Sequence, residues 1–229
     1  MNIAIIPARG GSRRIPGKNI KLFVGKPIIA YSIEAAKASQ VFDRIIVSTD
    51  SDEIAQVAIA YGAEIPFIRP KELSDDHTPT APVIAHAIHW FKERGHLPEF
   101  ACCIYATAPF VKPDFIKEGY KTIVENNVAS VFSVTTYAFP ILRSLKITNK
   151  GTLAMFWPEH EMTKSQDMPE AYHDAGQFYW LKVDSFLKSG KIYTSDAMPV
   201  ILPRYLVQDI DTPEDWITAE RMFKGVRDE

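Results

Sequence analysis

Cysteine is scarce: Cys102 and Cys103 are the two in the chain, and they are adjacent. Neighbours in a strand point to opposite faces, so this pair makes a poor structural disulfide. Without a CxxC or HxxxH it makes no zinc site either, which leaves buried free thiols in a reducing compartment. Long apolar runs are missing, since none approaches the roughly 18 residues of a membrane span. The short run at residues 2–7 has no basic segment before it and no cleavage site after it, so a cytoplasmic protein is expected. Net charge is small, −2, which excludes an electrostatic footprint for nucleic acid or an anionic membrane. Neither GxxxxGK[ST] nor GxGxxG occurs, so neither a Walker loop nor a dinucleotide fingerprint accounts for the glycines. Repeats and low-complexity tracts are absent too.

What is present is an alternation. Strand-like apolar runs at residues 3–8, 44–48, 64–69, 100–105 and 129–135 alternate with helical patterns at 27–39, 51–61, 82–94 and 113–126. Such alternation implies βαβ units, a mostly parallel sheet and helices on both faces, a three-layer α/β/α fold. With 229 residues, 46% of them hydrophobic, one domain over 1–229 is expected. Ligands of such sheets lie beyond the C-terminal strand ends, here the loops after residues 8, 48, 69 and 105. The alternation breaks over residues 137–172, which mix turn residues with Phe139, Leu142, Leu145, Met155, Phe156 and Trp157. A segment this long and this apolar reads as a lid, a binding excursion or a subunit interface. The pattern resumes at 176–183, continues at 200–202 and closes with a helix over about 213–224.

The first strand runs into Arg9-Gly10-Gly11-Ser12-Arg13-Arg14-Ile15-Pro16-Gly17-Lys18-Asn19. Glycines let backbone N–H groups approach an anion, and Arg9, Arg13, Arg14 and Lys18 add positive charge, an arrangement suited to a triphosphate. The bland alternative is a solvated basic turn. Asp209 and Asp211 are two residues apart, which in extended chain puts both carboxylates on one side as hard oxygen ligands for Mg²⁺. Ordinary surface acids, or a helix start at Asp211-Thr212-Pro213-Glu214, are the alternatives.

Residues 6–19, Ile-Pro-Ala-Arg-Gly-Gly-Ser-Arg-Arg-Ile-Pro-Gly-Lys-Asn, resemble the opening motif of the CMP-sialic acid synthetase family. The likeness continues through Ser48-Thr49-Asp50, Arg69-Pro70, Leu73-Ser74-Asp75-Asp76, Thr107-Ala108-Pro109 and Asp209-Ile210-Asp211. The 3-deoxy-manno-octulosonate cytidylyltransferases match less well, because they usually read Pro-Gly-Lys-Pro at residues 16–19. The resemblance implies a nucleotide-diphospho-sugar transferase-like fold, Rossmann-like in outline. It also implies transfer of CMP from CTP to a nonulosonic acid with Mg²⁺ at Asp209 and Asp211. Arg9, Gly10, Gly11, Ser12, Arg13, Lys18, Asn19, Arg69, Thr78 and Thr80 would then bind CTP, with Arg9, Arg13, Lys18 and both aspartates catalytic. For Thr78 and Thr80, helix capping ahead of Pro82 is the competing reading.

The sugar side departs from the sialic acid pattern. Tyr105 stands where that family has Gln, and His173-Asp174-Ala175-Gly176 where it has Arg-x-Asn-Gly. Tyr-Ala-Thr-Ala-Pro-Phe and His-Asp-Ala-Gly-Gln-Phe-Tyr-Trp are similar to the pseudaminic acid cytidylyltransferases of bacterial surface-glycan and flagellin glycosylation. A more aromatic pocket suits a deoxygenated, acylated sugar. Tyr105, Thr107, Arg143, Lys164, His173, Gln177 and Tyr179 are the sugar-side candidates, and His173 has a packing role as its alternative. In such a family the excursion forms a homodimer interface and lends residues to the neighbouring site. Synthetases for legionaminic or N-acetylneuraminic acid, and a non-catalytic nucleotide-binding protein, are the rival readings.

Overall fold

The computed structural model describes residues 1–227. Its strands are β1 (Asn2–Pro7), β2 (Leu22–Phe23), β3 (Lys26–Pro27), β4 (Arg44–Ser48), β5 (Phe100–Ile104), β6 (Ser130–Thr136), β7 (Leu145–Ile147), β8 (Leu153–Met155), β9 (Tyr172–Lys182) and β10 (Met198–Ile201). The helices are α1 (Ile28–Ser39), α2 (Asp52–Ala60), α3 (Thr80–Lys92), α4 (Pro113–Asn126), α5 (Val183–Ser189) and α6 (Pro213–Arg227). The main sheet has the order β10-β6-β9-β5-β1-β4. β4, β1 and β5 run parallel, as do β10 and β6, while β9 lies antiparallel between β5 and β6.

Alternation along β1 divides the core. Ala4 and Ile6 join Ile29 and Ile33 of α1 on one face, and Ile3 and Ile5 join Ile84, Ile88 and Phe91 of α3 on the other. Both faces are covered, so β1 from Ile3 onward and all of β5 are apolar, as central parallel strands tend to be. Cys102 and Cys103 fall in opposite cores, both free and buried. Burial raises both thiols well above the ordinary range. A third cluster gathers Ile15, Phe23, Ile28, Phe110, Ile210 and Trp216 under the loop that follows β1.

Two expectations need correction. Residues 64–69 form no strand, only a bridge between Ile46 and Glu64. Pro66 and Pro70 lack donors for a ladder, and Arg69 N–H reaches Thr49 O singly at 2.7 Å. The strand expected at 176–183 begins earlier, at Tyr172. Between β6 and β9 the chain makes short 3₁₀ turns and the β7–β8 hairpin. That hairpin leaves Ile147 and Leu153 76% and 69% exposed, with Phe139 at 82%. No described helix is long and apolar enough to cross a membrane.

Candidate functional site

The segment after β1 is a loop held from beneath. Ile15 is buried at its centre, and Asn19 donates to Arg9 O at 2.9 Å, tying the loop's end to its start. With its apolar residue inside, the loop presents its cations to a cavity of about 450 Å³. Arg9, Ser12, Arg13, Arg14, Lys18 and Asn19 form one wall of it, and Arg69, Asp75, Asp76, Thr78, Thr80, Tyr105 and Thr107 line the rest. Gly10 and Gly11 lie in the loop backbone. Gly10 N–H donates to Asp50 Oδ1 at 2.8 Å, and a Cβ added at Gly11 would meet open space.

Each loop cation has an acidic partner from another element. Arg9 and Arg13 share Asp76, the latter at 2.7 Å, and this carboxyl sits below its usual range because of the Arg9 hydrogen bond. Arg14 and Lys18 share Asp211 at 2.8 and 3.4 Å, and Lys18 Nζ also donates to Ile210 O at 2.7 Å. Arg69 is buried, with its Nη2 3.9 Å from Asp50, and neither that nitrogen nor Nε makes a hydrogen bond. Burial lowers its affinity for the proton, opposed by Asp50. A buried, half-paired guanidinium at a cavity wall is a ready partner for an acceptor.

Thr78 and Thr80 are not helix caps. Pro79 holds the N-cap position of α3 with no side-chain cap. Thr78 Oγ1 donates to Asp75 Oδ1 at 2.7 Å, and Thr80 Oγ1 lies 3.1 Å from Tyr105 Oη. At α6 the capping is done by Thr212 and Asp215, whose Oδ2 accepts from Thr212 N at 2.7 Å. That frees the Asp211 carboxylate for the loop. Ile210 is buried in the third cluster, so its neighbours Asp209 and Asp211 point away from that core. Burial and then the charge of Asp211 push the Asp209 carboxyl up. The described residues contain no group of three or more His, Cys, Asp or Glu able to hold a metal by themselves.

A second cavity adjoins the first across Tyr105. His173, Asp174, Gly176, Tyr179, Gln208 and Asp209 line it. Tyr105 Oη is raised by burial. His173 Nδ1 lies 2.9 Å from Asp174 O, so this nitrogen carries the proton, and its ring meets Tyr137 edge-on at 4.9 Å. Gln177 is not brought to either cavity: it is buried and donates to Leu206 O at 2.5 Å. Arg143 and Lys164 are not brought there within one chain either. Both are exposed in the excursion, where Arg143 reaches Glu161 O at 3.4 Å. Sequence reasoning passed over Asp76, Asp174 and Tyr193 as site residues. Asp76 and Asp174 each stood within a quoted motif, but only the fold brings Tyr193 to Asp174.

A family model described as cytidylyltransferase matches residues 3–224. The chain is 41% identical to a pseudaminic acid cytidylyltransferase of Campylobacter jejuni, over 97% of this chain and 96% of that protein. It is 30% identical to a CMP-N,N'-diacetyllegionaminic acid synthase of Legionella pneumophila, over 97% and 96%. The solved structure of a CMP-2-keto-3-deoxy-manno-octonic acid synthetase with CTP superposes with a TM-score of 0.71 at 16% identity, covering 98% of each chain. At that identity the likeness speaks to the fold, a three-layer α/β/α nucleotidyltransferase architecture.

Proposed function

The chain belongs to the cytidylyltransferase family, and from that premise we propose that it joins CTP to pseudaminic acid, giving CMP-pseudaminic acid and pyrophosphate. The observation that carries this reading is the cavity at the C-terminal end of β1, walled by loop cations on one side and by Arg69, Thr78 and Thr80 on the other. Arg9, Arg13 and Lys18 hold the β- and γ-phosphates, exchanging Asp76 and Asp211 for phosphate oxygens. Backbone and Ser12 hydrogen bonds align the chain of phosphates, while Arg69, Thr78 and Thr80 receive the nucleoside. The sugar enters the second cavity, beside Tyr105, His173 and Tyr179, with Thr107 on the first-cavity side of Tyr105. Its anomeric hydroxyl attacks the α-phosphorus and gives up its proton to solvent, the bond from that phosphorus to the bridging β-phosphate oxygen breaks, and pyrophosphate leaves against the cationic loop. Positioning and charge stabilisation supply most of such a transfer.

A divalent ion such as Mg²⁺ fits Asp209 and Asp211. Both are hard oxygen donors, and the Asp209 carboxyl, raised by burial and then by the charge of Asp211, would gain a counter-charge from a cation. When bound, the ion supplies Lewis-acid polarisation of the phosphate. On this reading residues 1–229 act as one nucleotidyltransferase domain in the cytoplasm, and the product feeds surface-glycan or flagellin glycosylation. The excursion at 137–172 pairs two copies, and Arg143 and Lys164 serve the partner's sugar carboxylate. Its exposed Phe139, Ile147 and Leu153 support the pairing.

Pyrophosphate release from CTP and Mg²⁺ tests the reading, with pseudaminic, legionaminic and N-acetylneuraminic acids run in parallel. Release that is strongest with pseudaminic acid is expected. Preference for either other sugar moves the assignment to it, and silence with all of them overturns the enzymatic reading.

A further inference from the structure

The register of β6 against β9 slips between Phe132 and Val134: Phe132 lies opposite Tyr179, yet Val134 lies opposite Asp174. Residues 175–178 of β9 therefore bulge on the β6 side. Asp174 and Gly176 make the turn. Gly176 N–H donates to Asp174 Oδ1 at 2.8 Å, and Gly176 adopts φ 63°, the left-handed region that favours glycine. Bulges re-aim side chains, often beside active sites. Here the carboxylate is re-aimed so that Oδ2 accepts from the hydroxyls of both Tyr179 and Tyr193, each at 2.6 Å. Tyr193 comes from the connection between α5 and β10, so the interaction joins two distant parts of the chain.

Asp174 is thus a fixed anion in the wall of the second cavity. A carboxylate has about four acceptor sites, and the hydroxyls and the N–H above fill all but one. Around it stand the rings of Tyr105, Tyr179 and Tyr193. Tyr105 and Tyr193 together also wall an apolar recess with Ala81 and Ile192. An acceptor beside an aromatic, apolar recess complements a secondary amide, which has an N–H donor and a small acyl group. The same negative charge repels the carboxylate of a sugar acid and so sets which way round the sugar lies.

We propose that Asp174 is a specificity-determining residue that accepts a hydrogen bond from an acylamino N–H of the sugar, held in place by Tyr179, Tyr193 and the Gly176 turn. The inference rests on the proposed reaction. Its test compares acylamino sugar acids with analogues in which each acylamino group in turn is replaced by acyloxy, in the wild type, Asp174→Asn and Tyr193→Phe. The wild type should favour one N-acyl sugar over its O-acyl analogue by about tenfold or more in kcat/KM, the size of a hydrogen bond to a charged acceptor. Asp174→Asn should lose most of that preference while the KM for CTP stays within about twofold, with Tyr193→Phe in between. Equal losses on both analogues, or a parallel rise in the KM for CTP, would reduce Asp174 to a support of the fold and sink the proposal. Should Asp174→Asn fail to fold, Tyr193→Phe decides by the same ratio. A wild type that uses no acylamino sugar acid overturns the reaction itself, an outcome visible before any variant is measured.

Discussion

Lys18 sits between Asp211 and the Ile210 carbonyl with its side chain 18% exposed, and it also lines the nucleotide cavity. Lys18→Ala should lower kcat/KM for CTP by about 10²–10³-fold, the scale of removing one positioned charge stabiliser. Steady-state pyrophosphate release measures it, and an unchanged melting temperature would assign the loss to the site. His86 tests burial. Its Nδ1 is buried without a partner and its ring meets Phe67 edge-on at 4.7 Å. Burial, and then the charge of Arg69, lower its affinity for the proton, opposed by Glu93 and Glu72 and reinforced by His89. Above the ordinary imidazole value of about 6.5 both folded and unfolded chains carry it neutral. As pH falls through that value the unfolded chain takes up a proton that the folded one refuses, so stability declines toward the lower folded value. Urea unfolding from neutral to mildly acidic pH should show that decline, and His86→Gln should flatten it.

At the scale of elements, α4 packs on β9 through the absence of a side chain. A Cβ on Gly119 would lie 2.7 Å from Trp180 Cδ1 and 3.1 Å from Phe178 Cε2. Trp180 is fully buried, and its Nε1 donates to Ile116 O at 3.0 Å. Gly119→Ala should therefore cost about 1–3 kcal/mol of overpacking, only partly offset by roughly 1 kcal/mol of helix propensity. A melting temperature lowered by several degrees would show it. Elements of this kind were legible in the sequence wherever periodicity and a stop signal agreed, as for α4 and for β1 with its basic loop. Residues 64–69 misled because apolar content there was not matched by free N–H donors around Pro66 and Pro70. The candidate site was legible where it is local, in the loop of residues 9–19 and in Asp209 and Asp211. Asp174 and Tyr193 were hidden because their meeting depends on a register slip, which leaves no mark on hydrophobic periodicity. Likewise, Arg143 and Lys164 carry suitable charge, but charge alone does not say which cavity a loop reaches.

For the whole molecule, the exposed apolar residues of the excursion are the feature that a lone copy leaves uncovered. Ile147→Lys combined with Leu153→Lys should halve the mass seen by sedimentation equilibrium, and a wild type already of single-chain mass would contradict the pairing. The acidic partners of the loop cations have another consequence, for the speed of encounter. Arg9, Arg13, Arg14, Lys18 and Arg69 are met nearby by Asp50, Asp75, Asp76, Asp209 and Asp211, and the chain as a whole carries −2. Little field therefore extends into solvent, so an approaching triphosphate is not drawn in from afar as it is by an unbalanced cationic cleft. Its capture becomes an exchange of internal counter-ions at contact, and the association rate should vary little with ionic strength.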